Sequence, residues 1–458
     1  MSDAAESESV SGTRSDYDER TPLSAILTYA APAPCIGFMF FLVSMYLMKF
    51  STDVLLIAPG VMGLIFGLSR IWDGISDPLA GYFSDRTRTR IGRRRPWLLA
   101  SLVPIVVVFL MMWSPPQSLT GSALVAWMAV SVIGFYTAMT IFTVPHASLG
   151  AELSMSYDDR NRVFGWRHIS FTSGAFVALG GMSLLIGSDS PRTTASQIAL
   201  VVCLLTVAVM IFCVARVRER PEHLGRGAEN PYRAFRDVLK NPHARRLLIA
   251  SLIEHLGSAN MSILAPYAAH YIIGTPRLTS FFVLCYMVAA VSTALFWARL
   301  ATRYDKKQLW VFSMTLTGLS FGGMFLWGEG DWIPIALLAT LAGVGGGCGP
   351  VIAPSIQSDI IDYDEYLTGQ RKEGAYFAAF SFAFKGSAGV TLMLTGFVLQ
   401  LSGFVPNVEQ TETTKLAIRS LFALFPLVSL SCGALLLSRL ALNRETHAEV
   451  RAALDARR

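Results

Sequence analysis

The 458-residue chain is 53% hydrophobic and only 15% charged, with a formal net charge of +6. Soluble domains are nearer a quarter charged, so this composition excludes a soluble globular protein and indicates a polytopic membrane protein. Six cysteines (Cys35, Cys203, Cys213, Cys285, Cys348, Cys432) lie scattered through apolar windows without metal-ligand spacing, which argues against disulfides and zinc.

In chain order, residues 1–25 are polar and acidic, with Glu6, Glu8, Asp16, Asp18 and Glu19. They lack a basic segment followed by a short apolar core, so they read as a disordered cytoplasmic tail and not as a signal peptide. Apolar windows of about 20 residues then predict helices over 26–48, 54–83, 97–114, 121–144, 167–187 and 197–216. A polar stretch, 217–245, with Pro221, Gly225, Gly227 and Pro231, reads as a cytoplasmic linker. Six more helices are predicted over 246–272, 278–301, 308–327, 332–355, 376–401 and 416–439, before a tail at 440–458. The expected architecture is an all-α membrane protein of twelve transmembrane helices, in an N-terminal bundle (26–216) and a C-terminal bundle (246–439).

Arginine and lysine concentrate in alternate loops: Arg86 to Arg95 in 84–96, Arg218 to Arg245 in 217–245, and Arg299, Arg303, Lys306 and Lys307. The positive-inside rule places these loops and both termini in the cytoplasm. Topology and contact with lipid headgroups account for the arginine cluster without nucleic acid.

The second helix breaks the apolar pattern. Arg70, Asp73 and Asp77 fall on one helix face, within an arc of about 60°. A carboxylate in a bilayer costs about 2.5 to 3.5 kcal/mol on insertion scales. If the helix ends near Asp85, Asp77 lies about 12 Å and Asp73 about 18 Å from that end, near the midplane. Pro78 removes the donor that would bond the Gly74 carbonyl. Two acids, a freed carbonyl and the Thr143 hydroxyl suit sodium, and two close carboxylates equally suit a proton. Lys385, about 11 residues into the eleventh helix, is expected to pair with Asp73 or Asp77, and Arg70 to orient Asp73.

Two loops echo each other: Gly81-Tyr82-Phe83-Ser84-Asp85-Arg86 after the second helix, and Ala298-Arg299-Leu300-Ala301-Thr302-Arg303-Tyr304-Asp305 after the eighth. Each resembles the loop signature of the major facilitator superfamily, whose parallel six-helix repeats enclose a central site. The run Arg70-Ile71-Trp72-Asp73-Gly74-Ile75-Ser76-Asp77-Pro78, with Arg93-Arg94-Arg95-Pro96-Trp97-Leu98, resembles the glycoside–pentoside–hexuronide:cation symporters. Asp362-Tyr363-Asp364-Glu365-Tyr366 and Phe384-Lys385-Gly386 extend the resemblance over nearly the whole chain. It implies cation binding by Asp73 and Asp77, a coupling role for Lys385, and a substrate contact at Arg167. Three positions depart from the galactoside-binding pattern, where Gly37, Thr143 and Ala147 replace two acids and a tryptophan.

Asp85, Arg86, Asp305 and Asp362 are expected at a cytoplasmic gate. Asp359, Asp364 and Glu365 read either as partners of loop arginines or as a solvated acidic turn. Glu254-His255 is a candidate for lining the substrate cavity. The glycine run 343–349 lacks the Lys-Ser/Thr of a phosphate loop and reads as close helix packing. The chain is thus expected to be a symporter, not an enzyme. It would need no cofactor beyond a sodium ion or proton, and would import a glycoside or related solute as a monomer. The lost galactoside contacts also admit an amphiphile such as a lysophospholipid. A non-transporting membrane sensor is the alternative of another class.

Overall fold

The computed structural model describes residues 21–153, 157–217, 219, 238–368, 373–440, 449–450 and 452–454. The expected tail at 1–20, most of the linker and most of the C-terminal tail lie outside these residues. Twelve long helices account for nearly all of the described chain. They are α1 (Leu23–Asp53), α2 (Pro59–Arg86), α3 (Arg95–Trp113), α4 (Gly121–Glu152), α5 (Tyr157–Ile186) and α6 (Pro191–Arg216). After the linker come α7 (Pro242–Tyr271), α8 (Thr279–Arg303), α9 (Lys306–Gly323), α10 (Trp332–Thr368), α11 (Glu373–Leu401) and α12 (Glu412–Ser438).

Eleven of the twelve helices are long and apolar enough to cross a membrane. The exception, α2, has the length, 28 residues, but carries Arg70, Asp73 and Asp77 in its middle. In α6, Leu200, Val201, Leu204 and Leu205 are exposed, an apolar outer face that water would penalise and a bilayer accepts. Helix starts are fixed by local chemistry. The Asn241 side chain accepts from the N–H groups of His243 and Ala244, with Pro242 at the first helical position of α7. Asp305 does the same for Lys307 and Gln308 at the start of α9. At α3 the acceptor comes from afar: the Glu219 carboxylate takes the N–H groups of Arg93, Arg94 and Arg95 at 2.6, 2.9 and 2.8 Å.

Several helices run past their expected ends. Helix α4 runs to Glu152 instead of ending at 144, which places His146 and Ala147 inside it. Helix α5 starts at Tyr157, so Arg167 lies ten residues into the helix instead of at its start. Helix α10 continues to Thr368, and residues 359–365, expected beyond its end at 355, are helical. Ile352, Ile356, Ile360 and Ile361 are buried at helical spacing and carry the helix past the apolar window; Asp362 and Asp364 are buried with them. The glycine run does serve packing. A side-chain carbon on Gly343 would stand 2.2 Å from the Tyr286 carbonyl oxygen, and one on Gly347 2.4 Å from that of Ala290. Without side chains there, α8 and α10 approach backbone to backbone. The run also breaks α10 between Gly346 and Gly349.

The chain forms two compact units. One comprises Met1–Leu42, Ile75–Gly181 and Ser190–Ala228; the other comprises Val43–Gly74, Met182–Asp189 and Glu229–Arg458. The core of the first holds an aromatic cluster, with Phe135 against Phe40, Phe109 and Tyr136 at ring distances of 5.6, 6.1 and 5.4 Å. The second buries Phe66, Tyr267, Trp310 and Tyr376 completely or nearly so.

Candidate functional site

Within the second unit, the first part of α2 lies along α11 on a seam of small residues. A side-chain carbon on Gly60 would strike the Gln400 side chain, one on Gly63 the Leu392 carbonyl, one on Gly67 Met393, and one on Gly74 the Phe382 ring. Arg70 occupies the same seam: its aliphatic stem lies over Gly389, where an added carbon would stand 2.5 Å from Cβ and Cγ. The positions 60, 63, 67, 70 and 74 repeat every three or four residues, so they share one face of α2.

That seam delivers the charges. Asp73 is 2% exposed. Its Oδ2 accepts from Arg70 Nη1 at 3.2 Å, and Lys385 Nζ of α11 stands 3.9 Å from the same oxygen. Lys385 is thus beyond hydrogen-bond length but inside ion-pair range, and about 29% of its side chain remains exposed. Of the two acids expected to meet Lys385, the structure brings Asp73 to it. Asp77, one turn further along α2, belongs to the first unit. Its Oδ1 accepts a 2.7 Å hydrogen bond from the Thr140 hydroxyl of α4. The threonine expected at this acid was Thr143, which lies half-buried three residues on. Both threonines stand in the same apolar helix, and pattern alone does not tell one turn from the next.

The expected substrate positions separate. Arg167 lies close enough to Tyr29 and His146 for its charge to act on both. The rings of those two residues stack at 4.3 Å, and His146 Nε2 donates to the Tyr29 carbonyl at 2.9 Å. Gly37 does not offer a surface to a ligand: an added carbon would stand 2.0 Å from the Phe171 carbonyl oxygen. It seats α1 closely against α5. Ala147 is half-buried on α4. His255 stands edge-on to the Phe384 ring at 4.8 Å, with Nδ1 3.6 Å from Glu254 Oε2.

The expected gate residues divide by role. Asp85 pairs with Arg94, which also bonds Ser84 at 2.7 Å and Glu152, while Arg93 reaches Glu152 as well. Glu152 and Glu219, neither singled out from sequence, complete this cluster at the ends of α2, α3 and α4. The Arg86 guanidinium lies 3.8 Å from the centre of the Tyr82 ring. Asp305 caps α9, and Lys306 beside it bonds Asp359 of α10 at 2.7 and 3.0 Å. Asp362 is buried in α10.

A second charged cluster escaped the sequence reading. At the end of α1, Lys49 pairs with Asp53 and stands 2.9 Å from His270 Nδ1 of α7. Tyr271 donates to Asp53 Oδ2 at 2.7 Å and Thr52 donates to Oδ1 at 2.8 Å. The Lys49 ammonium lies 4.5 and 5.1 Å from the ring centres of Tyr271 and Tyr267, inside cation–π range. The signal was present, a lysine and an aspartate four apart at the end of an apolar run, but the predicted first helix stopped at 48. Among the described residues, no group of three or more His, Cys, Asp or Glu could hold a metal ion. A cation at α2 would therefore draw its remaining ligands from hydroxyl and backbone oxygens.

Comparison with known proteins places this geometry. The chain is 26% identical to the isoprimeverose transporter of Lactiplantibacillus pentosus, over 92% of this chain and 89% of that protein. It is 24% identical to the sodium-dependent lysophosphatidylcholine symporter 1 of Xenopus tropicalis, over 90% of this chain and 85% of that protein. Among solved structures, a D-xylose–proton symporter superposes with a TM-score of 0.68 over 92% of this chain and 98% of that one; at 13% identity this shows the fold alone. Residues 28–444 match the family described as MFS/sugar transport protein. The twelve helices, the charged face of α2 and this match over most of the sequence agree: the chain belongs to the MFS/sugar transport protein family, of the glycoside–pentoside–hexuronide:cation symporter type.

Proposed function

We propose that the protein is a cation-coupled symporter that moves a glycoside or related hydroxylated solute by alternating access. The observation that carries this reading is the buried Asp73 carboxylate, held at 3.2 Å by Arg70 and approached to 3.9 Å by Lys385. One carboxylate facing two cations leaves little negative charge for a third. A sodium ion or proton arriving at the α2 acids competes with Lys385 for that charge, so its occupancy alters the α2–α11 contact. Only a ligand with different affinity for two conformations shifts the balance between them, and a contested ion pair supplies that difference. Asp77, with its Thr140 hydrogen bond, supplies a second acid on the same helix. The arginine-rich loops support an orientation with both termini in the cytoplasm, and each chain carries its own site, as a working monomer requires.

A second reading, with an amphiphile as the solute, is favoured by an apolar pocket in the second unit. Met261, Phe282, Val283, Phe321 and Phe422 line it, a surface suited to an alkyl chain or an apolar aglycone. Uptake by purified protein in liposomes tests both readings, using xylosides, glucuronides and lysophospholipids under separate sodium and proton gradients. Concentrative uptake of a glycoside under one gradient supports the first. Uptake of lysophospholipid alone selects the second. Downhill flux indifferent to both gradients overturns the coupling.

A further inference from the structure

The second unit carries polar groups that the α2 cluster does not use, at the end of its helices remote from the arginine-rich loops. They begin with a distortion in α12. Residues Ser420–Leu424 form one π turn between the α-helical stretches Glu412–Arg419 and Phe425–Ser438. Such turns are rare and occur mostly at functional sites. This one is pinned from two sides. The Asn260 amide of α7 donates to the Leu421 carbonyl, and the Thr395 hydroxyl of α11 donates to Asn260 Oδ1 at 2.7 Å. Asn260 and Thr395 are both fully buried. Two polar side chains inside an apolar bundle thus serve the shape of one turn. Phe422, within the turn, stands edge-on to Phe321 of α9 at 5.7 Å. It lines two apolar pockets that share Ala268, Ile273, Met324 and Ile335 as walls. The larger has about 70 Å³ of free space, room for about five to seven water-sized groups. The smaller is also lined by Trp327 and Arg419. Arg419 Nε is buried and donates no hydrogen bond, and its guanidinium forms no ion pair among the described residues. The acids near it are turned elsewhere: Asp331 takes the Gly328 N–H at 3.1 Å, and Glu329 lies against Gly274. Gly328 leaves room for the guanidinium, since a side-chain carbon there would stand 2.9 Å from Nη2.

The chemistry selects the occupant. A buried donor without a partner carries a desolvation cost, and a guanidinium fork matches an oxyanion best. A cation would be repelled. A neutral apolar molecule would fill the pockets and leave Arg419 as it is. A molecule with an apolar body and an acid at one end answers both demands. We infer that the two pockets and Arg419 form a binding site for a short amphiphilic acid, sharing no residue with the α2 acids. Its body is one ring or a chain of about six carbons, as the free space allows, and its head is a carboxylate or another oxyanion. This rests on the apolar pocket that favours an amphiphilic solute and adds the sign of the head group. Phe422 stands where the pockets join and sets their width, and Arg419 sets the charge.

The test measures saturable binding of tritiated 4-phenylbutyrate, and of its neutral analogue 4-phenylbutanol, to the full chain in phosphatidylcholine nanodiscs at neutral pH. The wild type is expected to prefer the acid by about 10- to 100-fold, the range for a hydrogen bond to a charged group. Arg419→Gln is expected to erase that preference and to leave phenylbutanol affinity within about twofold, while Arg419→Lys keeps part of it. Ala339→Phe, which fills the larger pocket, is expected to weaken both probes more than about tenfold. Phe422→Ala serves if that variant fails to fold; it widens the junction and is expected to shift preference toward 4-(1-naphthyl)butyrate. Equal affinity of the wild type for acid and alcohol overturns the charge assignment, and no saturable binding of either overturns the site. Loss of acid binding in phosphatidylglycerol nanodiscs, with phenylbutanol unaffected, assigns Arg419 to a lipid headgroup and overturns the short acid as its occupant. All of these are equilibrium readouts. Absence of lysophospholipid uptake, a transport readout, removes the amphiphile as solute and leaves the site as one for a bound, untransported acid.

Discussion

Removing Lys385 or Asp73 should affect stability and transport in different proportions, and the geometry sets the sizes. Losing the acid in Asp73→Asn takes a counter-charge from Arg70 and Lys385 at once. Breaking a buried pair from one side typically costs about 3 to 5 kcal/mol, and Asp73 is buried enough for that range to apply. Losing the base is milder. Lys385 stands 3.9 Å from Asp73, beyond hydrogen-bond length, and keeps 29% of its side chain exposed. The attraction of about 4 kcal/mol at that separation for an effective dielectric of 20 is therefore screened to roughly 1 to 2 kcal/mol. The double variant Asp73→Asn with Lys385→Ala should accordingly cost about as much as Asp73→Asn alone, about 1 to 2 kcal/mol less than the sum of the two single changes, since the attraction to Lys385 is already lost with the acid. Thermal or denaturant unfolding of the four proteins in nanodiscs closes the cycle. In gradient-driven uptake, by contrast, Asp73→Asn and the double variant should both be inactive, because the cation ligand is gone from each. A coupling energy within about 0.3 kcal/mol of zero would refute the contested ion pair. Concentrative uptake by Asp73→Asn would refute the cation assignment.

Other perturbations separate neighbouring residues. Thr140→Val should weaken cation dependence about 10- to 100-fold, through loss of the hydroxyl on Asp77; Thr143→Val should change it less than about twofold, and cation titration of uptake compares them. Gly37→Asp should fail to assemble instead of gaining galactoside transport, since its side chain has no room against the Phe171 carbonyl; monodisperse protein on size-exclusion chromatography would contradict this. Glu219→Ala removes the acceptor for three N–H groups at the start of α3 and should cost about 1 to 2 kcal/mol, read from thermal unfolding, with the cation dependence of uptake unchanged.

The sequence was most informative where it was most anomalous. Arg70, Asp73 and Asp77 stood out because charge in an apolar run has no bland explanation, and helical spacing alone put them on one face. Lys385 was legible for the same reason. Helix ends were not: α4, α5 and α10 continue past their apolar windows, because a helix leaving a bilayer needs only an amphipathic pattern and not uniform hydrophobicity. That is why Arg167 was expected at a helix start and residues 359–365 beyond the end of the tenth helix. That the Phe171 backbone closes on Gly37 was not legible either, since the sequence shows that a side chain is missing and not what fills its place. Glu152 and Glu219 were illegible in principle, since their partners lie about 60 and 125 residues away in sequence and no local pattern connects them.

The polarity of α2 has a consequence for how the chain is made. Each of its three central charges costs about 2.5 to 3.5 kcal/mol at the middle of a lone helix, and Arg70 with Asp73 offsets only part of that. Lys385, a further neighbour of Asp73, emerges from the ribosome about 300 residues later. At roughly 5 to 20 residues per second, some 15 to 60 seconds pass before α11 exists to lie along the glycine seam. During that interval α2 depends on the helices made before α11 for shelter, and Thr140 of α4, which bonds Asp77, is among them. Nascent chains cut short before α11 should therefore hold α2 in the bilayer less firmly than full-length protein, and quality-control proteases should degrade them faster.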